Sequence, residues 1–287
     1  MKATVFILQR LYHDRSAFIG LVLITLLFLT AILAPLLSTF PDAVWDFNPK
    51  DRLLPPGTQY LFGTDRMGAD VYSRVLFGAR ITIVTAVIAV GVSLLIGVPI
   101  GLVAGYYQSW VSELLMRVSD IFLAVPQVVL AIAIAQTLGP SLNNVILALS
   151  LTYWPWFTRL VYAETRSLKN EVFIESAIAL GAKPWRVIVF HILPNVSSPI
   201  IVRTSIGMGF TILTAAALGF LGLGAPAPAP EWGRMISESR EFLPEAWWYA
   251  AAPGFAIFLV VMGFNLLGDG LRDILDPRIR RASREHN

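Results

Sequence analysis

The chain has 287 residues, 56% of them hydrophobic and only 14% charged, and its mean hydropathy of +0.66 is too high for a soluble domain of that length, so its solvent is a bilayer. The formal net charge of +3 comes from Lys and Arg spread through polar loops, and no basic patch interleaved with aromatics offers a surface for nucleic acid. With no cysteine, the chain has no disulfide, no thiolate metal site and no cysteine nucleophile.

In chain order, residues 1–16 form a short, mildly basic lead on the cytoplasmic side. Charge-free runs then occur at Ala17–Leu37, Ile81–Tyr107, Ile121–Leu138, Ser141–Thr158, Thr204–Gly224 and Ala246–Gly268. Each reaches about 18 residues or more, enough to cross roughly 30 Å of hydrocarbon. The expectation is an all-α polytopic protein with six transmembrane helices: an anchor over 17–38 and five helices within 81–268. The first run is longer than a signal-peptide core and lacks a small-x-small cleavage site, so it is expected to stay as an anchor. Placing both termini inside puts most Lys and Arg in cytoplasmic segments, as the positive-inside rule asks.

Residues 39–80 read as an extracytoplasmic loop, irregular around Pro41, Pro49, Pro55, Pro56 and Gly57, with Asp65, Arg66, Asp70 and Arg74 in ordinary surface pairs. In the second span Gly97, Gly101 and Gly105 fall four apart on one face, the spacing that lets another helix approach the backbone. Gly139-Pro140 divides a long apolar stretch into the third and fourth spans, and Gln127, Gln136, Asn143 and Asn144 are expected to hydrogen-bond between helices. Arg203 stands at the start of the fifth span and is expected to snorkel to the interface. Ala225 to Pro230 alternates Ala and Pro as a stiff exit, Trp247, Trp248 and Tyr249 form an interfacial belt, and 269–287 is a cytoplasmic tail. Which residues line a substrate pathway is not legible.

The cytoplasmic loop over 163–195 carries the densest charge of the second half. Ser167 reads as a helix cap, Glu171 and Glu175 as first-turn acids, and Gly181 followed by Pro184 as the stop; a second helix begins near Pro184 and meets Pro194. The small residues around Glu175, Ser176 and Ala177 give a surface that another protein's groove can approach closely.

Glu175-Ser176-Ala177, Gly181 and the later Leu193-Pro194 resemble the Glu-Ala-Ala loop of permease subunits from binding-protein-dependent ABC importers, with Ser176 where that family usually has Ala. Phe62-Gly63-Thr64-Asp65, Gly68 to Arg74, Gly78-Ala79-Arg80, Pro230 to Gly233, and Asn265 to Asp273 with Leu275 to Arg278 are similar to the C-type subunits of the dipeptide, oligopeptide and nickel family; Ala69 departs from the usual Arg. The resemblance covers Ala17 to Arg278 in the family's order. It implies the type I (MetI-like) importer transmembrane fold in the bacterial cytoplasmic (inner) membrane. It also implies a homologous second permease subunit, cytoplasmic ATP-binding subunits that hold ATP and Mg, and an extracytoplasmic substrate-binding protein. By the same resemblance Glu175, Ser176, Ala177, Gly181, Lys183 and Pro184 dock the ATPase subunits, and di- or oligopeptides are the cargo, ahead of nickel, glutathione or another small solute.

Features that are missing point the same way. No Gly-x-x-x-x-Gly-Lys-Ser/Thr loop is present, so the chain is not expected to hydrolyse ATP, and His13, His191 and His286 match no metal motif. A secondary transporter or channel is the competing class. The six runs have uncharged centres and show no internal repeat, which disfavours a proton- or ion-coupled carrier. A scaffold protein would predict no transport defect on deletion.

Overall fold

The computed structural model describes residues 14–41, 44–45 and 48–275. The N-terminal lead before Asp14 and the Asp276-Pro277-Arg278 end of the closing motif lie outside the described residues. The described chain is helical: α1 (Arg15–Leu37), α2 (Val71–Tyr107), α3 (Trp110–Ala124), α4 (Gln127–Leu138), α5 (Leu142–Lys169), α6 (Val172–Ala179), α7 (Pro184–Val187), α8 (Leu193–Phe220), α9 (Trp232–Ser239) and α10 (Trp247–Leu275). Among the described residues four helices are long and apolar enough to cross a membrane, namely α1, α2, the continuous Pro184–Phe220 helix and α10; α3 and α4 reach that length only as a pair, which is bent by 89° at its junction. The expected fourth span corresponds to α5, whose 28 residues are long enough but more polar. It packs against α2, α3, α4 and α8.

Capping fixes where the long helices begin. The Asp14 carboxylate accepts the Ala17 N–H at 2.9 Å and starts α1. Asp70 does the same for Ser73 at 3.0 Å, so α2 starts at Val71, about ten residues before its charge-free run, and Arg74 and Arg80 are helical residues rather than loop. Ser109 and Ser112 cap α3 reciprocally. Where the third run was expected to be a single span, Pro126 cannot continue α3 and α4 sets off in a new direction.

Small residues set the helix contacts. The Gly97, Gly101 and Gly105 face of α2 meets α5 so closely that an added Cβ would lie 2.5 Å from the Trp154 carbonyl oxygen, 2.7 Å from that of Thr158 and 2.7 Å from Thr165 Cβ. Two hydroxyls fasten the same pair: Ser93 donates to the Ser150 carbonyl (3.1 Å) and Thr158 to that of Gly97 (3.2 Å). Gly20 of α1 lies on the α10 backbone, and Gly270 and Gly268 of the closing motif sit against Ala17 and Ile206. Asn144 donates to the carbonyls of Leu138 and Gly139, at 2.9 Å each, and so ties α5 to the end of α4. Gln127, Gln136 and Asn143 make no such bond among the described residues, so the expectation of interhelical bonds holds for Asn144 alone.

Pro35 illustrates how a helix defect is repaired at long range. Its missing N–H leaves the Ala31 carbonyl without an intrahelical donor. The Arg80 guanidinium supplies one, donating through Nε to Ala31 and through Nη2 to Ile32 at 3.0 Å, while its plane covers the Phe77 ring. The anchor helix is thereby stapled to α2 by a charge-assisted contact.

The segment before α2 and the α9 region close one end of the bundle. The expected surface pairs are buried here: Asp65 is fully enclosed, accepts N–H bonds from Met67 (2.7 Å) and Ala69 (2.9 Å), and pairs with Arg74 at 2.8 Å. The chain turns through Gly63 and Gly68, both at positive φ, and folds the segment over its own acid. Trp248 Nε1 donates to the Thr64 carbonyl across the sequence, at 3.2 Å.

Candidate docking and gating sites

At the opposite end, the loop after α5 builds a projecting surface. Ser167 does not cap a helix: α5 continues to Lys169, and Glu171 stands at the N-cap of α6 without a side-chain bond, because Arg166 and Lys169 suit the last turn of α5 and prolong it. The stop at Gly181 is a Schellman turn in which the Ala182 N–H reaches the Ala177 carbonyl (3.1 Å) and the Gly181 N–H that of Ile178 (2.9 Å). Gly181 has φ +85°, so a side chain is strained there although no atom lies within 4 Å of a Cβ. Lys183 and Pro184 then open α7, with Pro at the first helical position.

The helix does not end at Pro194. A π turn over Ile188–Ile192, in which the Leu193 N–H bonds the Ile188 carbonyl, shifts the register so that Pro194 falls in the first turn of α8, where its N–H is not needed. A single rigid helix therefore runs from the projecting loop through the bundle.

Ile174 anchors the loop. It is fully buried with Leu102, Tyr106, Val161, Val187, Ile192 and Val196, which ties α6 to α2, α5 and α8. The rest of the surface is exposed and apolar: Val172 (75%), Leu180 (89%) and Trp185 (59%) have no cover, and Glu175, Ser176 and Gly181 are exposed among them. Ala177 is half-buried. The arrangement is a greasy, small-residue knob held by one buried side chain, suited to being gripped from outside.

At the α9 end, Glu231 is the side chain that the sequence motif does not explain until the fold is seen. It is buried, accepts the Ala225 N–H at 2.8 Å, and fits against Gly219 and Gly224, where a Cβ would collide with its carboxylate. Burial pushes its carboxyl up to about 7, against the downward pull of the Ala225 N–H and of Arg234. Beside it, Trp232 packs over Gly78 and donates to the Val75 carbonyl (2.9 Å), and Gly233 touches the Ala216 backbone, so Glu-Trp-Gly locks α2 through its Trp and α8 through its Glu and Gly. Glu238 gathers Arg66, Arg234 and the Tyr249 hydroxyl; burial raises its carboxyl, but these partners outweigh burial and hold it below the ordinary value. Among the described residues no cluster of His, Cys, Asp and Glu could hold a metal.

Comparison with known proteins places this architecture. Residues 97–281 match the family model of the binding-protein-dependent transport system inner membrane component, and residues 6–56 match that of the N-terminal TM domain of oligopeptide transport permease C. The dipeptide transport system permease protein of Alkalihalophilus pseudofirmus is 48% identical over 95% of this chain and 89% of its own length. The probable D,D-dipeptide transport system permease protein of Escherichia coli K12 is 40% identical over 90% of this chain and 86% of its own. The glutathione transport system permease protein of Pectobacterium atrosepticum is 44% identical over 78% and 75%. Among solved structures, an inward-facing MetNI methionine ABC transporter chain superposes with a TM-score of 0.58 at 16% identity, covering 71% of this chain and 97% of that one, which shows the shared fold. The expected type I importer fold is borne out, and the carrier and scaffold classes fall away. The chain belongs to the binding-protein-dependent transport system inner membrane components, the non-catalytic membrane permeases of ABC importers.

Proposed function

We propose that this permease conducts di- or oligopeptides released by an extracytoplasmic binding protein, and that it pairs with a homologous subunit around the pathway. In this reading the α6 knob is seated in cytoplasmic ATPase subunits, which bind ATP and Mg, and both termini are cytoplasmic. The observation that carries it is the knob: an exposed apolar surface, fixed by Ile174, on the end of a helix that runs unbroken into the bundle. A rigid-body movement of the ATPase subunits is transmitted by such a lever without loss in a flexible joint. The peptide assignment is supported by the names of relatives at 40% to 48% identity; a glutathione route is the second reading, favoured by relatives at 42% to 44%. The Lys and Arg distribution supports the orientation, and Glu175, Ser176, Ala177, Gly181, Lys183 and Pro184 form the docking surface.

The test uses the complete transporter in vesicles. Gly181→Val strains the turn and Ala177→Arg puts a charge into the contact; either change leaves the chain in the membrane, abolishes peptide uptake and detaches or uncouples the ATPase subunits in pull-down and ATPase assays. Wild-type uptake by both variants removes the knob from the mechanism. A single cysteine at Ser176, in a chain that has no other, is expected to react only with reagents applied from the cytoplasm.

A further inference from the structure

Arg203 occupies a place that its sequence position conceals. Because the helix continues through the π turn, this residue lies near the middle of the 37-residue Pro184–Phe220 helix, with nineteen helical residues before it. Counting 1.5 Å per residue, it is about 25 Å from Phe220, near the far edge of a hydrocarbon layer of roughly 30 Å measured from that end. The same count places Tyr153 and Trp156 about 16 and 21 Å along α5 from Leu142. The two starting points are level, since the Ser141 N–H bonds the Leu223 carbonyl at 3.3 Å.

The guanidinium lies over the Trp156 ring, 4.5 Å from its centroid, and 5.7 Å from that of Tyr153. Among the described residues it has no hydrogen bond and no carboxylate partner. The nearest acid along α5, Asp120 of α3, is held by Arg159, one turn beyond Trp156. Trp156 is itself 41% exposed, so the pair faces outward from this chain. A guanidinium at this edge of the hydrocarbon, with no hydrogen-bond partner among the described residues, faces outward under two rings, and the N–H donors that the rings leave unused ask for an oxyanion. A peptide passing the bilayer carries one such group, its terminal carboxylate.

We propose that Arg203, framed by Trp156 and Tyr153, is an anion-binding station on the translocation path that receives the carboxylate of the passing substrate. The inference rests on the peptide reading above. The rings hold the guanidinium in place between cargoes, and its planar fork can bind a carboxylate in bidentate fashion.

The test compares uptake of a dipeptide with that of its C-terminal amide by the complete reconstituted transporter, with Arg203, Arg203→Lys and Arg203→Gln. Preferences of the binding protein act equally on all three chains and cancel in the ratio of the two uptake rates. Arg203→Gln is expected to lower the carboxylate-to-amide ratio about tenfold, the loss of one charge-assisted contact, with Arg203→Lys in between. The ratio is expected to be the same in vesicles with and without anionic lipid. Equal losses for both substrates, or a defect that appears only when anionic lipid is present, overturns the assignment, the latter by showing a lipid phosphate as the partner. If the wild-type chain took up neither substrate, the peptide reading would fall and this station with it, whereas an unchanged ratio on sound wild-type uptake refutes the station alone.

Discussion

Replacing Glu231 by Gln separates the shape of the Glu-Trp-Gly lock from its charge. Gln keeps the volume that fits against Gly219 and Gly224, and its amide oxygen can accept the Ala225 N–H. What it removes is a titration. The carboxyl is raised from 4.5 to about 7 by burial, so between those values the folded chain binds a proton that the unfolded chain has released. This contribution to stability is full below about 4.5, falls as pH rises through the window, and is lost above about 7. The shift corresponds to roughly 3 kcal/mol at most, at 1.36 kcal/mol per unit. The assay is thermal unfolding of the purified transporter at pH 5 and pH 8.5, wild type against Glu231→Gln. The two proteins are expected to melt nearly together at pH 5, with the variant higher at pH 8.5 by several degrees. Groups other than Glu231 titrate alike in both and cancel. Parallel pH profiles would refute the argument by showing that the carboxylate stays ionised and well solvated in the fold.

Two further perturbations probe the packing. Gly101→Leu drives a side chain into the Thr158 carbonyl and Val161 Cβ, 2.7 and 2.8 Å from an added Cβ, and is expected to cost about 1–3 kcal/mol; Gly91→Leu, with no atom within 4 Å, is the control. A normal melting curve and normal assembly for Gly101→Leu would contradict the α2–α5 contact. Arg80→Ala leaves the Ala31 carbonyl without a donor beside Pro35, and a loss of about 1–3 kcal/mol is expected, read as faster amide exchange around the end of α1; unchanged exchange there would show that lipid headgroups or water replace the staple.

The sequence by itself determined the class of the protein and the approximate place of its long apolar helices, but not the break of the third run into α3 and α4. Apolar run length against bilayer thickness, glycines four apart and the Gly181 stop are local signals, whereas the cap expected at Ser167 failed because α5 runs on to Lys169. Motif order along the chain was enough to point to the family. The tertiary structure decided what those signals enclose. Asp65 and Arg74 looked like loop charges until the glycine turns folded the segment over them, and Glu231 was one residue of a motif until the end of α8 and the turn after it brought Gly219 and Gly224 to it. Arg80 and Ala31 meet across 49 residues, a separation no local pattern records. Arg203 shows the reason most plainly. A hydropathy window begins a span after a charge, but a helix ends only where its backbone hydrogen bonds end, and the π turn carries those bonds past Pro194 and makes the charge a mid-helix residue.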